Sequence, residues 1–299
     1  MMNFYRNLPV LITGGAGFIG SHLAENLANL GAKVTILDNL SSGNVQNLKK
    51  LKRKVNFING DIRNFDNCLQ ATKDIKIVFH AAALVSVPES MQNPQLCHEI
   101  NINGTFNLLE SARINNVEKF IFSSSSAVYG NKEGIILEND SCNPASIYGL
   151  SKLIGELYCK KYFECFGLKT ISLRYFNVYG ARQNPNGEYA GVYAKFMHCI
   201  KNNKQITIYG DGLQTRDFIS VDQVVKANLS FAMLNGELNG QAINIASGKS
   251  ITLIELFEKL KAEFQNYKQE IQFKPARIGD IRHSQADCSK FKRLILKEI

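Results

Sequence analysis

Tyr148-Gly149-Leu150-Ser151-Lys152 sets a phenol and an ammonium four residues apart, which on a helix is one turn along a common face. A phenol loses its proton near pH 10, so one that acts as a base near neutrality needs a neighbouring cation to hold the phenolate, and Lys152 can supply that field. Upstream, Ser123-Ser124-Ser125-Ser126-Ala127-Val128-Tyr129-Gly130 clusters hydroxyls at the end of an apolar run. A serine there can hydrogen-bond a substrate hydroxyl while Tyr148 takes its proton and a nicotinamide takes hydride. The chemistry suggested is oxidation of a secondary alcohol.

A hydride acceptor needs a seat, and Leu11-Ile12-Thr13-Gly14-Gly15-Ala16-Gly17-Phe18-Ile19-Gly20 provides one between a strand and an amphipathic helix. Gly14, Gly17 and Gly20 permit a tight turn, close approach of a pyrophosphate to main-chain N–H groups and close helix–sheet packing. The helix start at Phe18 and Ile19 favours the negative charge. Asp38 ends the next strand 18 residues after Gly20, where a carboxylate accepts hydrogen bonds from ribose hydroxyls and repels a 2′-phosphate. Asn39, and not an arginine, follows it, so the sequence reads as NAD-binding in preference to NADP-binding. Asp61 and Ile62 follow the third strand, at the sheet edge where an adenine would lie, although Asp61 serves equally well as a helix cap. Ala81 and Ala82, in His80-Ala81-Ala82-Ala83, are small enough for a cofactor to approach the backbone; His80 itself reads as a packed core residue.

These groups must be positioned by a sheet. Apolar runs at Val10 to Thr13, Val34 to Leu37, Val55 to Ile58, Ile77 to His80, Phe120 to Ser123 and Thr170 to Leu173 alternate with helical stretches that include Phe18 to Leu30, Pro94 to Asn115 and Ile147 to Phe166. That order predicts an α/β fold, a Rossmann-like doubly wound parallel sheet, and the near-continuous apolar character of several runs fits strands buried on both faces. After Arg174 turn formers accumulate between Gly180 and Gly191. A smaller α/β substrate-binding lobe is expected there, with a helix near Tyr193 to Lys201, a strand at Ile206 to Tyr209 and a helix opened by the capping box Thr252-x-x-Glu255. The division is residues 1–176, with about 218–236, for the dinucleotide and 177–299 mainly for the lobe.

Composition sets the outer bounds. With 299 residues, 45% hydrophobic and 20% charged, the chain is that of a globular protein and not a disordered or collagenous one. Seven widely spread cysteines without a C-x-x-C pair suggest reduced thiols in a cytoplasm and no metal site. The N-terminus lacks a signal-peptide pattern, and no run reaches the roughly 18 apolar residues of a membrane span. A net charge of +9 favours acidic partners. Without aromatic interleaving or a reading motif, a phosphorylated small molecule is expected rather than nucleic acid or a membrane.

Glycine loop, acidic ribose residue, serine cluster and Tyr/Lys pair, in that order, resemble the extended short-chain dehydrogenase/reductase superfamily and, within it, the NAD-dependent nucleotide-sugar epimerases typified by UDP-glucose 4-epimerase. The resemblance covers nearly the whole chain. It implies that Ser125, four residues before Tyr129, is the serine, with Ser124 and Ser126 as neighbouring alternatives, and that Asn101 lies near the cofactor unless it is merely a polar residue inside a helix. Asn177 in Arg174-Tyr175-Phe176-Asn177-Val178-Tyr179-Gly180 matches a contact to the substrate diphosphate, Arg216 a phosphate-binding arginine, and Arg277 and Asp280 partners of the diphosphate and uridine ribose. Arginine suits that task because its planar fork donates to phosphate oxygens in pairs. The implied substrate is a UDP-hexose, whose 4′-hydroxyl loses its proton to Tyr148 while hydride passes to NAD; the 4-keto sugar turns over on its anchored nucleotide, and hydride returns to the other face.

Ser284 matches a pocket position where a large aromatic excludes N-acetylated sugars, so its small side chain implies room for UDP-N-acetylglucosamine beside UDP-glucose. Related dehydratases and decarboxylases carry carboxylates where this chain has Ser126-Ala127, which disfavours them; a UDP-glucuronate 4-epimerase fits the same residues. A non-catalytic NAD-binding sensor would typically have lost Tyr148 or Lys152. The resemblance also implies a homodimer formed through the helices around Pro94 to Asn115 and Ile147 to Phe166. Relatives continue after the segment matching Lys290 with a further strand and helix where this chain has nine residues, so weaker packing of the lobe is expected.

Overall fold

In the first strand Val10 and Ile12 are buried in one hydrophobic core and Leu11 in another, and the same alternation places Ile77 and Phe79 against Val78, and Ile121 against Phe120 and Phe122. A strand whose successive side chains enter opposite cores must be covered on both faces. The computed structural model describes all residues except 52–53, 133, 185–190, 235, 237, 265, 277–281 and 297–299, with the backbone alone of 295 and 296. It holds a seven-stranded parallel sheet of β1 (Pro9–Thr13), β2 (Lys33–Asp38), β3 (Val55–Asn59), β4 (Ile77–His80), β5 (Lys119–Ser125), β6 (Lys169–Tyr175) and β7 (Ala242–Ile245), in the order β7-β6-β5-β4-β1-β2-β3.

Helices Phe18–Asn29 and Val221–Met233 cover one face. Helices Phe65–Thr72, Gly104–Ile114 and Ile147–Phe166 cover the other. The doubly wound fold is as expected. The sheet's seventh strand, Ala242–Ile245, lies outside the boundaries drawn from the sequence: it has four residues, one of them the buried Asn244, and so no apolar run to mark it. The expected single helix from Pro94 to Asn115 is instead Pro94–His98, a π-helical turn Glu99–Asn103 and Gly104–Ile114. The wider turn accommodates Asn101, whose side chain leaves the helix to bond the backbone of Leu84.

The smaller lobe has its own core, in which Phe196 and Ile200 of helix Val192–Lys201 meet Leu256, Phe257 and Leu260 of helix Leu253–Ala262. The capping box is formed in both directions, Glu255 N–H to Thr252 Oγ1 at 3.0 Å and Thr252 N–H to the Glu255 carboxylate at 2.8 Å. Helix Ser289–Leu296 returns to the sheet, with Phe291 against Phe231 and Leu294 buried. All seven cysteines are free thiols. Among the described residues no helix is long and apolar enough to cross a membrane.

Helix Ile147–Phe166 lies close against the sheet at Gly155, where an added methyl would stand 2.4 Å from the Phe122 ring. That ring is buried between His80 and Lys152 and has no free side to swing toward. Gly155→Ala is therefore expected to cost about 1–3 kcal/mol through overpacking, read as a lowered midpoint in urea unfolding; an unchanged midpoint would mean that the helix is not pressed on the sheet there.

Candidate active site

β1 and β4 are neighbours, with Thr13 level with His80, yet the chain leaves them toward opposite edges of the sheet. A crevice at the carboxyl ends of the strands results, the place where open α/β sheets bind ligands. Gly14 lies across it at φ +66°, and a Cβ on it would stand 2.8 Å from Cα and N of Ala82. At Gly20 a Cβ would reach to 2.1 Å from the Gly14 carbonyl oxygen. Only hydrogens fit at either position. Helix Phe18–Asn29 then begins without a side-chain cap, so the N–H groups of its first turn, with Gly17, Phe18 and Ile19, are presented to the crevice for an anion.

Asp38 is buried at the end of β2, its carboxylate accepting from the N–H of Ala16 and of Leu40, each at 2.8 Å. Carboxylate oxygens have further lone pairs, so this fixed group retains acceptor capacity for a ribose diol. Beside it the Asn39 side chain donates to Asp61 at 2.8 Å, bringing two of the expected cofactor residues together. Arg63 clasps Asp61, with Nη2 at 2.7 Å, and holds its carboxyl down at about 2. Asp61 is not the helix cap; Asn64 is, accepting from Asn67 N–H at 3.0 Å. Ile62 packs its side chain in the core against Gly104 and so offers a ligand its main chain alone.

Under the crevice runs a chain of buried hydrogen bonds. Thr105 donates its one hydroxyl proton to Asn101 O at 2.6 Å, so it accepts from His80 Nε2 at 2.9 Å, and the other ring nitrogen accepts from Thr13 Oγ1 at 2.7 Å. Burial pushes His80 down to about 3, so the imidazole is neutral and structural, as its place in the sequence suggested. The Asn101 side chain bonds Leu84 N–H and O and donates to Ser151 Oγ at 2.9 Å; Ser151 in turn donates to Tyr148 O at 2.8 Å. Asn101 therefore fastens the Ala81–Leu84 segment to the start of the tyrosine helix.

That helix is capped by Ser146, which accepts from Gly149 N–H at 3.1 Å. A methyl at Gly149 would lie 2.5 Å from Ala127 O, so glycine lets the helix start meet the turn Ser126–Tyr129. Lys152 is buried, donates to Ser123 O at 2.8 Å, and has Nζ 5.0 Å from the Phe122 ring centre and 6.0 Å from that of Tyr148. Burial pushes its ammonium down to about 8. Burial raises the Tyr148 phenol above its ordinary value, and a hydrogen bond with Ser125 pulls against that rise.

The serines are also told apart. Ser123 shares a hydrogen bond with Tyr175 Oη, Ser124 is buried and donates to Glu156 at 2.5 Å, and Ser125, half-buried, accepts from Ala127 N–H at 3.1 Å beside Tyr148. Neither Glu156 nor its ion-pair partner Arg174 stood out in the sequence; the signal was a carboxylate four residues beyond Lys152.

In the lobe, Asn177 donates from Nδ2 to Asp217 O at 2.9 Å, Arg216 donates from Nη1 to Thr215 O at 2.8 Å, and Ser284 is buried with its N–H on Thr215 O at 3.2 Å. All three gather on one strand segment. Arg277 and Asp280 lie outside the described residues. Asp217, which the sequence reading passed over between Arg216 and Phe218, is fully buried and accepts from Ser247 N–H and Oγ, Gly248 N–H and Ala286 N–H. Burial raises its carboxyl, and those donors oppose the rise.

Residues 10–246 match the NAD dependent epimerase/dehydratase family. A putative UDP-glucose 4-epimerase of Methanocaldococcus jannaschii is 42% identical over 288 residues, covering 95% of this chain and 92% of its own. The solved UDP-N-acetylglucosamine 4-epimerase of Methanobrevibacter ruminantium, in complex with UDP-N-acetylmuramic acid, superposes with a TM-score of 0.91 at 41% identity over 97% of this chain and 92% of its own. The UDP-glucose 4-epimerase of Thermus thermophilus, complexed with NAD, gives 0.86 at 36% over 96% and 92%.

The buried cation has a measurable signature. Lys152 releases its proton at about 8 in the fold, whereas an unfolded lysine holds it to roughly pH 10.4, so between those values the unfolded chain binds more protons and stability rises with pH. In the cofactor-free protein this group should add about 2 kcal/mol to unfolding between pH 8 and pH 10. Lys152→Met should lack that increment in urea titrations; equal pH dependence in both proteins would place the ammonium in solvent.

Proposed function

The chain belongs to the NAD-dependent epimerase/dehydratase family, and on that premise we propose that it epimerises a UDP-hexose at C4. Its cofactor is NAD. The crevice fits that group in a way that does not depend on family membership: Gly14 and Gly20 leave a cradle that a single Cβ would fill, and Asp38 is fixed as an acceptor at its ribose end. When bound, NAD accepts a hydride from C4′ and gives it back.

The rest is done by side chains. Tyr148 takes the 4′-hydroxyl proton, Ser125 hydrogen-bonds the same oxygen, and Lys152, protonated below about 8, holds the phenolate. Asn177 and Arg216, with Arg277 and Asp280, anchor the diphosphate and uridine, so that a keto sugar turns over without leaving. Binding energy from the remote nucleotide is thereby used to retain a reactive intermediate. The observation that carries the reading is the convergence of Ser125, Tyr148 and Lys152 at the end of β5 beside the dinucleotide crevice. Ser126 and Ala127 bring no carboxylate to that turn, which weighs against dehydration and decarboxylation.

Ser284 supports acceptance of UDP-N-acetylglucosamine as well as UDP-glucose, because a hydroxymethyl group takes far less space than the aromatic ring that would exclude an acetamido group. UDP-glucuronate is the remaining substrate that the same catalytic groups would serve. The exposed apolar side chains Phe106, Leu150 and Leu157 on helices Gly104–Ile114 and Ile147–Phe166 support a homodimer through those helices. Free thiols support a reducing, cytoplasmic setting.

The test is an NMR product assay with UDP-glucose, UDP-N-acetylglucosamine and UDP-glucuronate supplied separately with NAD. The C4 epimer should appear, and Tyr148→Phe should slow its formation by on the order of 10²–10⁴-fold. Ser284→Tyr should lower turnover of the N-acetyl sugar by roughly tenfold or more while UDP-glucose is still converted. Failure to convert any of the three sugars with NAD bound would defeat the reading.

A further inference from the structure

Behind the serine turn lies a buried ion pair between Glu156 and Arg174. Glu156 stands four residues beyond Lys152 and eight beyond Tyr148, on the same side of the helix. Its carboxylate accepts from Arg174 at 2.9 Å (Nε) and 2.6 Å (Nη2), and from Ser124 Oγ at 2.5 Å. Both side chains are 7% exposed. The third donor of the guanidinium, Nη1, bonds Tyr129 Oη at 2.7 Å, and that hydroxyl donates to Asn244 Oδ1 at 2.6 Å.

Ser124 immediately precedes Ser125, and Tyr129 closes the short turn that Ser125 caps. One ion pair thus grips the turn at both ends and ties it to the helix that carries Tyr148. Such a pair is poorly accounted for by stability, since apolar residues of the same volume commonly stabilise a core at least as well. A planar fork that fixes two partners at once is a device for geometry.

We propose that Glu156 and Arg174 are positioning residues that set the distance between Ser125 and Tyr148 by clamping the Ser124–Tyr129 turn to the tyrosine helix. This rests on the reaction assigned above only for its kinetic consequence. If the clamp works through Ser125, loosening it should resemble losing Ser125, and should change nothing once Ser125 is absent.

Ser124→Ala and Tyr129→Phe each remove one grip and leave the ion pair in place. In the NAD-loaded enzyme each should lower kcat by roughly tenfold, since small misplacements of reacting groups are costly, with KM within twofold of the parent. The acid limb of the pH–kcat profile should shift upward, as it also should in Ser125→Ala, where the hydrogen bond that lowers the Tyr148 phenol is removed. In the Ser125→Ala background neither substitution should lower kcat further. Equal losses with and without Ser125, or no loss at all, would overturn the clamp. A readout free of turnover is the ¹³Cζ resonance of Tyr148 in tyrosine-labelled protein, identified by its disappearance in Tyr148→Phe. In Ser124→Ala it should move toward its position in Ser125→Ala. Movement without epimerase activity in the parent would uphold the clamp and defeat the reaction; a resonance that stays in place would defeat the clamp whatever the activity.

Discussion

The site is organised around a cation that has been taken out of water. The Lys152 ammonium donates to Ser123 O and stands 5.0 Å from the Phe122 ring centre and 6.0 Å from that of Tyr148, so a charge lies beside the tyrosine ring where water screens it little. Holding it there requires the helix Ile147–Phe166 to lie against β5 with almost no gap. Gly149 and Gly155, where a methyl would meet Ala127 O and the Phe122 ring, are what permit that approach. The desolvation that pushes Lys152 down to about 8 is the cost of the same arrangement.

The sheet and the lobe divide the remaining work. The sheet and its helices fix the dinucleotide crevice and the residues proposed to handle the proton, and they do so with side chains that alternate between two apolar layers. The lobe packs separately around Phe196, Phe257 and Leu260, and is fastened to the sheet by Asp217, which gathers N–H groups from Ser247, Gly248 and Ala286. Asn177 and Arg216 flank that anchor, Asn177 through its bond to Asp217 O and Arg216 through its bond to Thr215 O. A reaction that lets a sugar rotate while its nucleotide stays put needs this combination.

Much of this was legible in the residues, for identifiable reasons. Apolar runs revealed six strands, five of them because buried parallel strands cannot disguise their composition, and the exposed edge strand β3 because Val55, Phe57 and Ile58 still mark it. The glycine loop and Asp38 were readable because main-chain geometry restricts which residues fit. β7 escaped notice because Asn244 interrupts a four-residue strand, and the π-helical turn at Glu99–Asn103 did so because one extra residue shifts the apolar pattern by a single position between two short helices. The Glu156–Arg174 pair joins two elements 18 residues apart, and nothing local announces such a partner. Ser123, Ser124 and Ser125 could be separated only by what each one touches, with Ser123 turned to Tyr175, Ser124 to Glu156 and Ser125 to Tyr148.

The central claim is that C4′ is oxidised by hydride transfer while Tyr148 moves only the hydroxyl proton. Conversion of a UDP-hexose labelled with deuterium at C4′, carried out in ordinary water, tests it most directly. The account predicts a C4 epimer that retains the deuterium at C4′, because the label leaves and returns as hydride within the closed site. An epimer that carries solvent protium at C4′ would contradict it.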